Sequence, residues 1–204
     1  PILLDERWES DSAAGWHLYG YPRPQLVRDR GRRAFWNAGD GSYESGAFTL
    51  RDFDARSGLG AEVWVSAPLD SGQWQSVMMR FSAMIDTTQV RRWNDRSGWL
   101  PANALHGASR ECRFGFPSSY SQSSADSALL QVGDAWHRVV RTPGLSRGRW
   151  FRARVQIFPD GRCGLAINRR PITISDARLD LSRRYRANIY GNSAWTRILV
   201  GPLQ

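Results

Sequence analysis

Two sets of side chains in this 204-residue chain could do chemistry: its sparse carboxylates and histidines, and its ten tryptophans. Splitting a glycosidic bond takes two carboxyl groups held about 5–9.5 Å apart, and the glutamates Glu6, Glu9, Glu44, Glu62 and Glu111 are scattered singly. A serine nucleophile needs a sharp turn and a histidine oriented by an acid. No Gly-x-Ser-x-Gly occurs, and His17, His106 and His137 sit in unrelated contexts. His137, between Trp136 and Arg138, reads as structural; His106, in an irregular stretch, is the histidine to watch. No HxH or HExxH spacing offers a pair of metal ligands. These residues argue against an enzyme.

The tryptophans are more suggestive. Trp64 shares a strand phase with Glu62 and Ser66, while Trp93 and Trp99 stand among Arg91, Arg92, Asn94, Asp95 and Arg96. Aromatic planes stack on the apolar faces of sugars, and Arg, Asp and Asn bond the hydroxyls; the same mixture serves protein interfaces. Trp93, Asp95 and Trp99 are therefore the candidate ligand-binding residues. Arg80 and Arg113 join them from the outward phase of the flanking strands, because guanidinium groups suit acidic sugars and carboxylates. Trp8, Trp16, Trp36, Trp136, Trp150 and Trp195 read as fillers of core and edges.

The formal charge is +9, and all 28 basic residues are arginines. They run from Arg7 to Arg197, with doublets at Arg32-Arg33, Arg91-Arg92, Arg169-Arg170 and Arg183-Arg184. A nucleic-acid binder concentrates its charge in a stripe, so nucleic acid is not favoured, whereas an anionic partner stays open. No apolar run is long enough for a membrane-crossing helix. The chain opens on Pro1, as expected of a processed or excised product whose targeting segment lies elsewhere.

The elements that position these residues are strands. Ala61, Val63, Val65 and Ala67 alternate with Glu62, Trp64 and Ser66; Val77, Met79, Phe81, Ala83 and Ile85 alternate with Met78, Arg80, Ser82 and Met84; residues 150–157 do the same. Such a period of two marks half-buried antiparallel strands. Pro159-Asp160-Gly161 and Arg30-Gly31 read as hairpin turns. Further strands are expected at 25–29, 32–37, 45–50, 113–116, 128–132, 136–141, 162–168, 185–190 and 196–200. About a dozen strands and no long amphipathic helix predict an all-β fold, a two-sheet antiparallel sandwich of the jelly-roll kind, with one domain over 1–204. Val63, Phe81, Val155, Ile157, Leu165, Ile167 and Ile189 occupy the core phase. So do Cys112 and Cys163, either as two buried thiols or as one disulfide in an oxidising compartment. Two irregular stretches, 86–110 and 117–126, interrupt the rhythm.

Several segments together resemble the concanavalin A-like lectin and glucanase superfamily, laminin-G-like members above all. They are Asp5-Glu6-Arg7-Trp8 with Gly15-Trp16, the 150–157 strand with Pro159-Asp160-Gly161 and Leu165-Ala166-Ile167-Asn168, the stretch from Gly39-Asp40-Gly41 to Ser45-Gly46-Ala47-Phe48, and the closing segments 187–193 and 196–200. The likeness most resembles the outer domains of bacterial receptors. It implies a non-catalytic ligand-binding or sensor domain outside the cytoplasm, with a glycan or other anionic or polar ligand, tethered through a segment not in this chain. The alternative it leaves is an interaction subunit docked on a membrane protein complex. Glycanases of this superfamily carry a Glu-x-Asp-x-x-Glu strand, which is missing here. Laminin-G-like domains often hold calcium through Asp, Asn and backbone oxygens; Asn94, Asp95, Asp126, Asn188 and Asn192 are available, but loop Asp and Asn more often make turns, so no cofactor is expected.

Overall fold

The computed structural model describes residues 1–10, 12–20, 22–29, 31–38, 45–67, 77–83, 111–116, 126–142, 145–146 and 148–203. Among them every regular element is a strand, fifteen in chain order. One sheet holds β1 (Leu4–Glu6), β3 (Gln25–Asp29), β4 (Arg32–Ala38), β7 (Leu59–Ser66), β12 (Trp150–Ile157), β13 (Arg162–Ile167) and β14 (Arg170–Arg178). The other holds β2 (Trp16–Gly20), β5 (Ser45–Thr49), β8 (Val77–Ser82), β9 (Glu111–Phe116), β10 (Ser127–Val132) and β11 (Trp136–Arg141). All pairings are antiparallel, as the alternation requires.

The last strand, β15 (Arg184–Gly201), joins the two sheets. Its first half pairs with the short β6 (Phe53–Asp54), then lies between β5 and β8; its second half pairs with β4, β7 and β1. The change of sheet falls at Gly191, whose φ of 105° suits glycine alone. The first sheet runs β3-β4-β15-β7-β12-β13-β14, and the second β2-β5-β15-β8-β9-β10-β11.

The inward phases of both sheets meet in one apolar core. Val63, Val155, Ile157, Leu165 and Ile167 face Met79, Phe81, Phe114 and Ile189, and every core residue named from the sequence is buried. Phe151 of the first sheet meets Phe114 and Phe116 of the second edge-on, with centroids 6.4 and 5.5 Å apart. Cys112 and Cys163 approach each other across this core as free thiols; burial, and then contact with Cys112, pushes the Cys163 thiol well up, which keeps it protonated and unreactive. Trp8 is wholly buried, stacked on Phe35 at 4.8 Å. Its backbone turns left-handed (φ 57°) where the Glu6 carboxylate accepts from Trp8 N at 2.7 Å and from Trp16 Nε1 at 3.1 Å. The Asp5–Trp8 segment is thus a structural clasp.

Strand β14 escapes a reading by period. Its buried residues are Thr173 and Ser175, whereas Ile174 is exposed, so the polar and apolar phases are inverted. Ser175 Oγ accepts from Cys163 N at 2.8 Å and donates to Ala177 O at 2.7 Å, which satisfies the buried hydroxyl. Trp36 and Trp150, 39% and 41% exposed, stand on interior strands of the first sheet rather than in the core or at an edge.

Candidate functional site

Across the second sheet one register row runs through all seven strands. It reads His17, Phe48, Asn188, Arg80, Arg113, Gln131, His137, each the cross-strand partner of the next. These side chains lie on the face opposite the core, since Phe81, Ala187 and Cys112 beside them point inward. A rigid sheet therefore aligns four cationic or imidazole groups, two amides and an aromatic ring along one line.

The centre of this row is closed. Arg80 is fully buried, with its guanidinium carbon 4.3 Å from the Tyr190 ring centroid. Its Nη1 lies 3.3 Å from Tyr190 Oη and 3.5 Å from Glu111 Oε2. The outward phase read from the sequence thus holds for Arg80, but surface exposure does not: the ring and the carboxylate take up its charge. Arg113 donates to Gln131 Oε1, and Gln131 Nε2 donates to Gly133 O at 2.7 Å. Arg113 retains 15% side-chain exposure. Its burial works against its charge, but Tyr190 and Glu111 outweigh that and hold its guanidinium above the ordinary value. Asn188 Oδ1 accepts from Tyr19 Oη at 2.7 Å, while its buried Nδ2 has no hydrogen-bond partner among the described residues. The row opens towards the β11 edge, where His137 is exposed.

Of the five ligand-binding residues named from the sequence, Arg80 and Arg113 are brought together as direct cross-strand neighbours. Trp93, Asp95 and Trp99 lie outside the described residues, as does His106. The segment that carries them leaves after β8 and enters β9, whose end residues Ser82 and Glu111 are paired. Of the calcium candidates, Asn94 and Asp95 are likewise undescribed, and Asp126 accepts from Arg141 at 2.9 Å. Among the described residues no three His, Cys, Asp or Glu converge on one point.

A second polar cluster, on the outer face of the first sheet, was not legible from sequence spacing. Glu62 is 3% exposed and accepts from Arg152 and, at 3.1 Å, from Arg154 on the neighbouring strand. The Arg152 and Arg197 guanidinium carbons lie 4.9 and 5.3 Å from the Trp64 ring centroid. Arg197 grips Asp5 with two bonds of 2.9 and 3.0 Å, and Arg7 shares that carboxylate. The Arg197 bonds, with help from Arg7, hold the Asp5 carboxyl down at about 2. Beside this ladder a groove of about 420 Å³ runs over Gly164, Ala166, Pro171 and Ile174. Gly164 forms its floor, and a Cβ there would sit 2.7 Å from the tip of the Phe158 ring, which would have to move.

Two packed sheets, a strand that changes sheet and a polar row on one outer face decide the architecture. The fold is the concanavalin A-like jelly roll. Its solved neighbours include the potassium-bound carbohydrate recognition domain of Emp46p (9% identity, 92% of this chain and 88% of that chain covered, TM-score 0.61). They include the Ca2+/Man-bound exoplasmic/lumenal domain of VIP36 (9%, 93% and 84%, TM-score 0.60). A Bacillus licheniformis beta-glucanase shares the jelly roll too (8%, 97% and 96%, TM-score 0.57). Lectin domains and glycoside hydrolases thus both surround this jelly roll. No protein-family model and no curated protein matches the sequence. No helix among the described residues is long and apolar enough to cross a membrane.

Proposed function

We propose that this chain is a non-catalytic glycan-binding domain working outside the cytoplasm, with its site at the Arg113–Gln131–His137 end of the row on the second sheet. One observation carries the reading: an antiparallel sheet holds Arg, Gln, His and Asn in register beside aromatic rings, which is the chemistry that grips sugar hydroxyls and sugar faces. Arg113 is the partly open cation of the row and suits an acidic sugar. We assign Trp93, Asp95 and Trp99 to the same site from the sequence, because their segment joins the two strands that carry Arg80 and Arg113. The carbohydrate recognition domain of Emp46p and the Man-bound domain of VIP36 support this ligand class, and the lumenal setting of the latter supports the location. The reading assigns no metal to the site.

The glucanase neighbour favours a second reading, glycan hydrolysis. Glu111, two residues before Arg113 on the same face of β9, would be its carboxylate, and that carboxylate is already ion-paired to Arg80. Hydrolysis would also require a second carboxyl group about 5–9.5 Å away.

A glycan array probed with the whole chain tests the proposal, followed by calorimetry on the best ligand with and without EDTA. His137→Ala, at the exposed end of the row, and separately Trp93→Ala with Trp99→Ala, should weaken binding at least about tenfold while the melting temperature holds. Binding should survive the chelator. A blank array overturns the reading, as does binding that falls only in step with melting; release of shortened glycan shifts it to the hydrolytic alternative.

A further inference from the structure

A second site stands on the outer face of the first sheet, independent of the glycan reading. Along its middle, β13 presents only Gly164 and Ala166 outward, because Cys163, Leu165 and Ile167 fill the core. Its taller neighbours on β12 and β14 therefore enclose a trough one strand wide, the groove of about 420 Å³ beside the Glu62 ladder. The Phe158 ring and Ile174 flank Gly164, with Ile174 Cγ1 3.9 Å from where a Cβ would stand, and Pro171 lies opposite Ala166. Ile174 is 43% exposed, so the fold leaves this apolar wall uncovered. The volume lies within the range that encloses a whole small molecule, roughly 300–1,000 Å³.

One end of the groove carries a cation. Strand β13 turns into β14 through Asn168 and Arg169, both left-handed, with φ of 49° and 69°. A two-residue hairpin turn of this kind takes glycine most readily at its second position. The chain places arginine there instead, and Arg169 lines the groove. The acids of this face are engaged or distant. Glu62 Oε1 accepts from Arg152 and its Oε2 from Arg154, Asp160 is paired with Arg162, and Asp176 stands beyond Ile174 towards the other end of β14. Among the described residues Arg169 is thus left without a carboxylate partner, beside an apolar trough.

We propose that this groove binds a medium-chain monocarboxylic acid, with its carboxylate on Arg169 and its alkyl chain over Ala166 and Gly164 towards Phe158. Gly164 stands three residues before the end of β13 at Ile167, about 10 Å along a strand, a span that suits such a chain. Each methylene removed from water favours entry, and a guanidinium fork matches a carboxylate with two bonds. A second carboxylate at the far end would lie against Phe158 and Ile174 without a partner, which selects a monoacid.

Titration calorimetry of the whole chain with sodium octanoate tests this. Binding at about 0.1 mM or tighter is expected. Hexanoate, two methylenes shorter, should bind about tenfold more weakly. Octanol and octylammonium should also bind at least about tenfold more weakly, since neither offers Arg169 an anion. Arg169→Gly should weaken octanoate binding at least about fivefold while Tm holds, because glycine removes the cation yet accepts the left-handed turn. Ile174→Ser should weaken it similarly by removing the exposed apolar wall. Arg170→Gln, which removes the same charge one residue away and outside the groove lining, should change affinity less than about twofold. No binding up to about 1 mM overturns the proposal. So does octanol binding as tightly as octanoate, and so does equal weakening by Arg169→Gly and Arg170→Gln.

Discussion

Replacing Glu62 by glutamine tests the outer-face ladder most directly. The carboxylate is only 4% accessible and is gripped by Arg152 and Arg154 from the neighbouring strand; glutamine keeps its shape and removes its charge. Breaking a buried ion pair costs about 3–5 kcal/mol when the surviving charge stays buried. Here the survivors have an exit, since Arg152 and Arg154 retain 22% and 30% side-chain exposure and can turn towards water. That relief brings the expected loss to about 1–3 kcal/mol. In a domain of this size each kcal/mol moves Tm by about 2–4 °C, so Glu62→Gln should lower it by roughly 2–12 °C. Differential scanning calorimetry at neutral pH reads the shift. A double-mutant cycle with Arg154→Gln should show that the second change costs less once Glu62 is gone. A Tm within about 1 °C of the parent, or strict additivity, would refute the ladder as a stabilising unit.

Two further outcomes follow from the geometry. The Asp5 carboxyl sits at about 2 in the folded chain against 3.8 ordinarily; its stabilising effect is therefore complete above pH 4 or so and disappears as pH falls towards 2. Urea midpoints measured from pH 5 to pH 2 should fall less steeply for Asp5→Asn than for the parent, and parallel curves would mean that Arg197 and Arg7 contribute nothing through this carboxylate. Gly46→Ala should prevent folding or cost several kcal/mol, because a Cβ there would lie 2.6 Å from Tyr190 Cβ and collide with the Ile189 carbonyl. A soluble Gly46→Ala chain with unchanged circular dichroism and Tm would contradict the close approach of β5 to β15.

The sequence alone determined the all-β class, the core phase of the long strands and the hairpin at Pro159-Asp160-Gly161, since period two and turn chemistry are local properties. It placed Cys112 and Cys163 inward for the same reason. It missed β14, where Thr173 and Ser175 are buried and Ile174 is not, because a partner strand rather than hydropathy satisfies Ser175. It put Arg80 on the correct face yet expected it at the surface: period two separates the two faces of a strand, but whether the second face meets water depends on what the rest of the chain lays against it. The tertiary structure alone decided which residues became neighbours. His17 and His137 are 120 residues apart and end one row; Glu62 meets Arg154, and Asp5 meets Arg197, only because strand order joins distant segments. The exchange of β4 for β1 beside β15 has the same origin, since no local spacing encodes which strands will share one edge.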